Sequence, residues 1–296
     1  YFTDWAYMIQ NTTEKVVIKL GKNLYKKTRN KNLCLAGGVA LNSVANEVLF
    51  KKNKFKEIFI FPACADAGIP YGLAIWAYHN YYNQNKRIPF DNAYTGIKYS
   101  SKIIKELLDK NNIPIKRTNS KEIARLISKG NIIGNFHGAS EYGPRALGNR
   151  SILTRPYPAE MKDYLNVRVK FREEFRPFAP AVLADFYQDY FEISQESPHM
   201  LIACQATAKA RSEIPATVHV DNSCRVQTVR EEQNRMFFLL LTAFFRETGC
   251  PVLLNTSFNV KGQPIVNTPA QAIECFSSTN IDCLVIGDFL VEKDSI

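Results

Sequence analysis

The run Ala139-Ser-Glu-Tyr-Gly-Pro-Arg-Ala-Leu-Gly-Asn-Arg-Ser151 sets two arginines and a glutamate among two glycines and a proline, with no helical apolar period. Glycines allow backbone geometries closed to other residues, and Pro144 fixes a dihedral and removes a donor. Arg145 and Arg150 are thereby presented at a set angle. Guanidinium groups grip phosphate or carboxylate through two parallel hydrogen bonds, so the loop reads as an anion holder. The competing reading is a surface loop with solvated arginines.

Four further stretches carry polar groups with chemical potential. Ala36-Gly-Gly-Val-Ala-Leu-Asn42 pairs glycines at a helix start, where backbone N–H groups can meet a phosphate; tight strand-to-helix packing explains it equally well. Pro62-Ala-Cys-Ala-Asp66-Ala-Gly68 places a carboxylate at a strand end, for a metal or for a helix cap. In Arg168-Val-Lys170-Phe-Arg172-Glu-Glu-Phe-Arg176-Pro177, Lys170 and Arg172 share a face of a strand, or Arg172 and Arg176 a face of a helix, with Glu173 and Glu174 available as partners. Leu254-Asn-Thr-Ser-Phe-Asn259 puts amide and hydroxyl groups directly after an apolar strand. His79, His137, His199 and His219 lack ligand spacing, and no nucleophile elbow is present.

Composition bounds what these groups can serve. The 296 residues, 46% hydrophobic, suit one large or two ordinary globular domains. The net charge of +10 comes without a block of like charges of the kind found in nucleic-acid arms. Between Arg145 and Arg176 eight basic residues face four acidic ones, a local excess suited to phosphorylated small molecules. Seven cysteines, an odd number without a CxxC pair, read as reduced thiols of a cytoplasmic protein. Met236–Phe245, bounded by Arg235 and Arg246, is too short for a membrane span and reads as a core helix. No signal peptide opens the chain, and the start at Tyr1 implies missing upstream sequence.

The elements that must position these groups follow from periodicity. Apolar spacing predicts a helix over Trp5–Lys27, a strand over Leu33–Ala36, a helix from Asn42 or Ser43, a strand over Ile58–Phe61 and a helix over Gly68–Tyr82. That alternation implies a mainly parallel sheet with ligands at its carboxyl ends. The polar stretch Asn83–Pro89 has the composition of a linker. Beyond it, helices are expected at Ser101–Lys110, at Lys121–Lys129 with Ser120 as N-cap, at Glu231–Glu247 and after Thr268-Pro269. Strands are expected at Ile113–Lys116, Asn131–Phe136, Pro251–Leu254 and Cys283–Ile286.

Taken together, AGGVALN, PACADAG, SEYGPRALGNRS, NVRVKFREEFRPFAP, VHVDNSCRVQTV, PVLLNTSFNVKGQPIV and DCLVIGDFLV resemble the NodU/CmcH family of O-carbamoyltransferases, in that family's order from Ala36 to Val291. The resemblance implies an α/β protein: part of an actin-like (ASKHA) domain over residues 1–88, followed by a YrdC-like domain over 89–296. It implies that the YrdC-like domain cleaves carbamoyl phosphate and joins the carbamate to AMP from ATP with Mg2+, releasing pyrophosphate. The carbamoyl adenylate then passes to the actin-like domain, where a hydroxyl of a small-molecule acceptor takes the carbamoyl group beside an iron (Fe2+). By motif, Arg145, Arg150, Lys170, Arg176 and Arg225 fall to carbamoyl phosphate and nucleotide phosphates, with Asn255 and Ser257 completing the pocket. Gly37, Gly38 and Asn42 fall to the nucleotide-contacting turn, and Asp66 to the metal.

Two departures qualify the match. The phosphate-binding first half of the actin-like domain and a His-x-x-x-His iron pair are absent, so the chain is expected to be a fragment or one half of a split enzyme, associating with that half or with a second copy. Ala139 stands where relatives often carry Arg. The alternative is a degenerate nucleotide- or RNA-binding module without catalysis, although no aromatic-rich nucleic-acid motif is present. Transfer to nitrogen nucleophiles is disfavoured by the order of the blocks.

Overall fold

The computed structural model describes residues 1–90, 92–173 and 175–293. Helix α1 (Phe2–Thr28), strand β1 (Asn32–Leu35), α2 (Ser43–Lys52), β2 (Glu57–Ile60) and α3 (Ile69–Asn80) follow the expected alternation. β1 and β2 run parallel, and Leu33, Leu49, Phe50, Phe55, Ile58 and Ile60 pack as a small core. Asn42 caps α2 by accepting from Ala45 N. Residues 83–89 form neither helix nor strand.

The rest of the chain contributes α4 (Ser101–Lys110), β3 (Lys116–Arg117), α5 (Ser120–Ser128), β4 (Ile133–Phe136), β5 (Arg150–Thr154), α6 (Met161–Leu165), β6 (Ala179–Leu183), α7 (Tyr187–Tyr190), β7 (Phe191–Glu192), β8 (Ala203–Ala206), α8 (Ala208–Glu213), β9 (Ser223–Arg225), β10 (Gln227–Val229), α9 (Arg235–Thr248), β11 (Val252–Ser257), α10 (Pro269–Ser277), β12 (Cys283–Ile286) and β13 (Phe289–Glu292). Among the described residues eight strands join in the order β10-β6-β11-β5-β4-β12-β13-β3, and β7-β8-β9 form a separate sheet. The chain is thus a mixed α/β protein.

The parallel pairing expected from the alternation in the first part of the chain is what β1 and β2 show, whereas the larger sheet is mixed. Among the described residues β6–β10 and β4–β12 pair in parallel and its other neighbours pair antiparallel. The physical reason lies in the connections: β12 turns into β13 through Gly287-Asp288 alone, and β4 returns as β5 without a crossover helix. Successive residues of the central strands alternate between two cores. Leu153, Leu253 and Val285 face α5 and α9, while Ile152, Leu254 and Leu284 face α4 and α10. Both faces are covered, so these strands read as continuous apolar runs.

Several boundaries also move. Asn119, not Ser120, caps α5, accepting from Lys121 N and Glu122 N. α9 begins at Arg235 behind the cap Asn234; it buries Phe237, Leu240, Leu241 and Phe244 but leaves Met236 and Leu239 exposed. Among the described residues no helix is long and apolar enough to cross a membrane, and no disulfide forms.

The small parallel pair docks on the later sheets through side chains that complete backbone groups. Gln195 pairs with both the N–H and the carbonyl of Ile58, at 2.9 and 2.8 Å, as a strand would. Asn46 donates to Leu201 O at 2.9 Å.

Candidate anion-binding site

Strand registers gather the chemical segments at one end of the large sheet. Phe136 lies opposite Arg150, Ser151 opposite Ser257 and Asn255 opposite Ala179, while Gln227 pairs with Ala181. That end presents the 137–149 loop, the continuation of β11 through Asn259, the approach to β6, and Arg225 just ahead of β10.

The two glycines of the arginine loop are required by geometry. Gly143 and Gly148 hold φ of +127° and +118°. A Cβ on Gly143 would lie 2.8 Å from Pro62 O, and one on Gly148 would lie 2.5 Å from Phe237 Cδ1. The first contact seats the loop on the PACADAG turn. There Tyr142 Oη also donates to Ala67 O, and Cys64 lies within electrostatic reach of Arg145. The AGG turn joins the same place, since Gly37 N donates to Cys64 O at 2.6 Å.

The arginines of the sequence reading divide. Arg150 is fully buried, its Nη1 donating to His137 O and Asn149 O and its Nη2 to Gly138 O and Ile97 O, with the guanidinium 3.7 Å above the Phe136 ring. Only Nε is left. Its geometry is that of a strut.

Arg145 and Arg225 are the opposite case. Among the described residues neither guanidinium has a hydrogen bond or ion pair, and both Nε atoms are buried. Burial pushes Arg225 down to about 9, with Arg145 and then Arg172 adding like-charge repulsion. Burial likewise lowers Arg145. Two guanidinium groups, Arg145 and Arg225, thus share a site without a hydrogen-bonded or ion-paired partner among the described residues, and Arg172 adds a third positive charge beside them, which is the electrostatic signature of an anion pocket.

Lys170 ends a π-helical stretch, Asn166–Lys170, after which Phe171 takes φ 49°. The segment is therefore neither of the two forms weighed from the sequence. Nζ reaches Ser257 O, Ser257 Oγ, Asn259 O and Asn259 Oδ1 at 2.8, 3.2, 2.7 and 2.6 Å. Burial, then Arg172, pushes the ammonium down to about 7, while these oxygens favour its charged form. Arg172 donates to Asn166 Oδ1 at 2.7 Å and lies over the Phe178 ring.

Asn255 and Ser257 stand beneath and beside this cluster. Asn255 Nδ2 donates to Gln227 Oε1 at 2.8 Å, leaving its buried Oδ1 without a donor. Arg176 is not brought in: it is exposed and pairs with Glu173 at 3.0 Å. Glu173 also binds Lys261, and Glu174 lies outside the described residues. Sequence reasoning left Arg172 and Asn259 unassigned, although the Lys-x-Arg and Ser-x-Asn spacings that Lys170 ties together were both present.

In the earlier part of the chain Gly37 and Gly38 have open space where a side chain would project. Asn42 is committed as a helix cap and to Gln10 at 2.8 Å. Asp66 is exposed at the start of a 3-10 turn, where no side-chain cap hydrogen bond forms, and among the described residues it is not gathered with other ligand side chains. Among the described residues no group of three or more His, Cys, Asp or Glu could hold a metal ion, so they do not fit an iron site.

Comparisons with known proteins agree with these motifs. A family model described as "Carbamoyltransferase C-terminus" matches residues 124–293, and one described as "Carbamoyltransferase N-terminus" matches residues 3–75. "Uncharacterized protein sll1178" of Synechocystis sp. is 41% identical over 98% of this chain and 52% of its own length. "Nodulation protein NolNO" of Sinorhizobium fredii is 38% identical over 98% of this chain and 44% of its own. The chain spans about half the length of the curated relatives it matches. A crystal structure of full-length HypF in a phosphate- and nucleotide-bound form shares 16% identity over 59% of this chain and 25% of its own, with a TM-score of 0.44, too low to fix a domain assignment.

Proposed function

Since the chain belongs to the carbamoyltransferase family, we propose that its sheet-end site binds carbamoyl phosphate together with the phosphates of Mg2+-ATP and forms carbamoyl adenylate. The observation that carries this reading is the unpartnered pair Arg145 and Arg225, with the Arg172 charge beside Arg225. An anion there removes the like-charge repulsion that burial intensifies. Water would first cleave carbamoyl phosphate to carbamate and inorganic phosphate; as the carbamate oxygen then bonds to the α-phosphorus of ATP and pyrophosphate leaves, negative charge shifts between phosphates, and fixed guanidinium groups stabilise it without reorganising. Lys170 holds the Ser257–Asn259 turn against this pocket. No protein nucleophile is required.

Residues 89–296 would form the adenylate-forming domain, and residues 1–88 part of the domain that passes the carbamoyl group to a hydroxyl acceptor. The contact of the PACADAG turn with the arginine loop supports a short path between the two. The test is pyrophosphate release from the purified chain with ATP, magnesium and carbamoyl phosphate, each omitted in turn. Release requiring both substrates is expected, and Arg145→Ala abolishes it in a folded protein. Full release by that variant, or none from the folded wild-type chain, would overturn the reading.

A further inference from the structure

The arginine loop contains a second, already filled anion site. Glu141 Oε1 accepts three backbone N–H groups, from Leu147 and Asn149 at 2.8 Å and from Arg150 at 3.2 Å. The remaining amide of that stretch, Gly148 N, donates to Ser151 Oγ at 2.9 Å. Converging backbone amides at a glycine turn are a nest of the type that takes phosphate oxygens. Here the chain's own carboxylate occupies it. Burial raises the Glu141 carboxyl above its ordinary range, with the amides of Leu147, Asn149 and Arg150 opposing that shift.

Arg150 does the complementary work. The carbonyls of His137, Gly138 and Asn149 all converge on its guanidinium. One buried carboxyl collects the loop's N–H groups and one buried cation collects its C=O groups, and Glu141 lies within electrostatic reach of Arg150. A loop whose backbone is satisfied on both sides by buried side chains has little freedom, so the guanidinium of Arg145, which makes no hydrogen bond or ion pair among the described residues, is held by the frame behind it.

We propose that Glu141 is a positioning residue that plugs the loop's amide nest, so that the pocket engages phosphate through guanidinium side chains alone, and that removing the plug turns the loop into an additional phosphate site. This rests on the proposed phosphate pocket for its functional sense, but its test does not need turnover.

Amide hydrogen exchange across residues 145–151 provides that test, on the full chain with and without inorganic phosphate. Rates are read relative to the core amides of Ile152 and Leu153, which carry any general stabilisation by phosphate; on that scale the wild-type amides of Leu147, Asn149 and Arg150 should exchange slowly, and phosphate should leave them unchanged. Glu141→Ala should speed them at least about tenfold, and phosphate should then slow them again. Glu141→Gln, which keeps a carbonyl acceptor, should stay near wild type. Phosphate slowing these amides in the wild type would mean that substrate uses the nest and would overturn the proposal. Unchanged exchange in Glu141→Ala, exchange in Glu141→Gln as fast as in Glu141→Ala, or no phosphate protection in Glu141→Ala would do the same. If Glu141→Ala fails to fold, the wild-type phosphate titration and Glu141→Gln still decide. A chain with plugged amides and no pyrophosphate release refutes the carbamoyl-adenylate reading and leaves this one standing.

Discussion

Arg150 at the start of β5, in the large sheet, and Arg225 at the end of β9, in the small one, have the same side chain, both largely removed from solvent. Arg150 spends four N–H groups on backbone carbonyls and stacks on Phe136; Arg225 has no partner among the described residues and two like charges near it. The difference teaches that burial of a cation does not by itself mark a ligand site. What marks it is the absence of internal acceptors, because an uncompensated buried charge costs stability unless something else supplies the counter-charge.

Breaking the comparison should separate stability from binding. Arg150→Met strands carbonyl groups in the core and is expected to destabilise the fold by about 3–5 kcal/mol, measured by denaturant unfolding. Arg225→Met removes repulsion, so its midpoint should stay level or rise. The same variant should lose the stabilisation that saturating phosphate gives the wild type, about 2.7 kcal/mol at a hundredfold excess over Kd. A phosphate response that survives in Arg225→Met would erase the distinction.

Lys170 sharpens the comparison from the other wall, since its acceptors are neutral. Its folded pKa is depressed from 10.5 to about 7, so below about 7 both states are protonated and the penalty of burying the charge is fully present. Above that, the unfolded chain binds more protons than the folded one. Stability should therefore rise with pH between about 7 and the unfolded value, by up to about 1.4 kcal/mol per unit. Lys170→Met should flatten that slope in urea unfolding at pH 7 to 8.5. The smallest effect belongs to Arg176→Ala, whose exposed pair with Glu173 should change stability by under about 0.5 kcal/mol and leave phosphate binding intact.

Much of this architecture was legible along the chain. The helices and strands around β1, α2, β2, α4 and β12 announce themselves by apolar period, Gly37-Gly38 and the 83–89 stretch by composition, and the loop around Arg145 by its glycines and charges. Strand β5 was hidden because its first residue, Arg150, reads as part of the loop. The short strands β7, β8 and β9 were hidden because two to four residues carry no period. Pair direction in the large sheet was not legible, since the alternation of strand and helix that signals parallel pairing holds only in the first part of the chain, where β1 and β2 are parallel.

Sequence by itself determined which residue types could hold an anion and that the motifs occur in the order of a carbamoyltransferase, because glycine, proline and guanidinium chemistry is local. Which arginine is free to meet a ligand was decided only by the tertiary structure. Whether a guanidinium finds carbonyls or other guanidiniums around it depends on chain segments far apart in sequence: Ile97 and His137 close around Arg150, and Arg145 and Arg172 around Arg225.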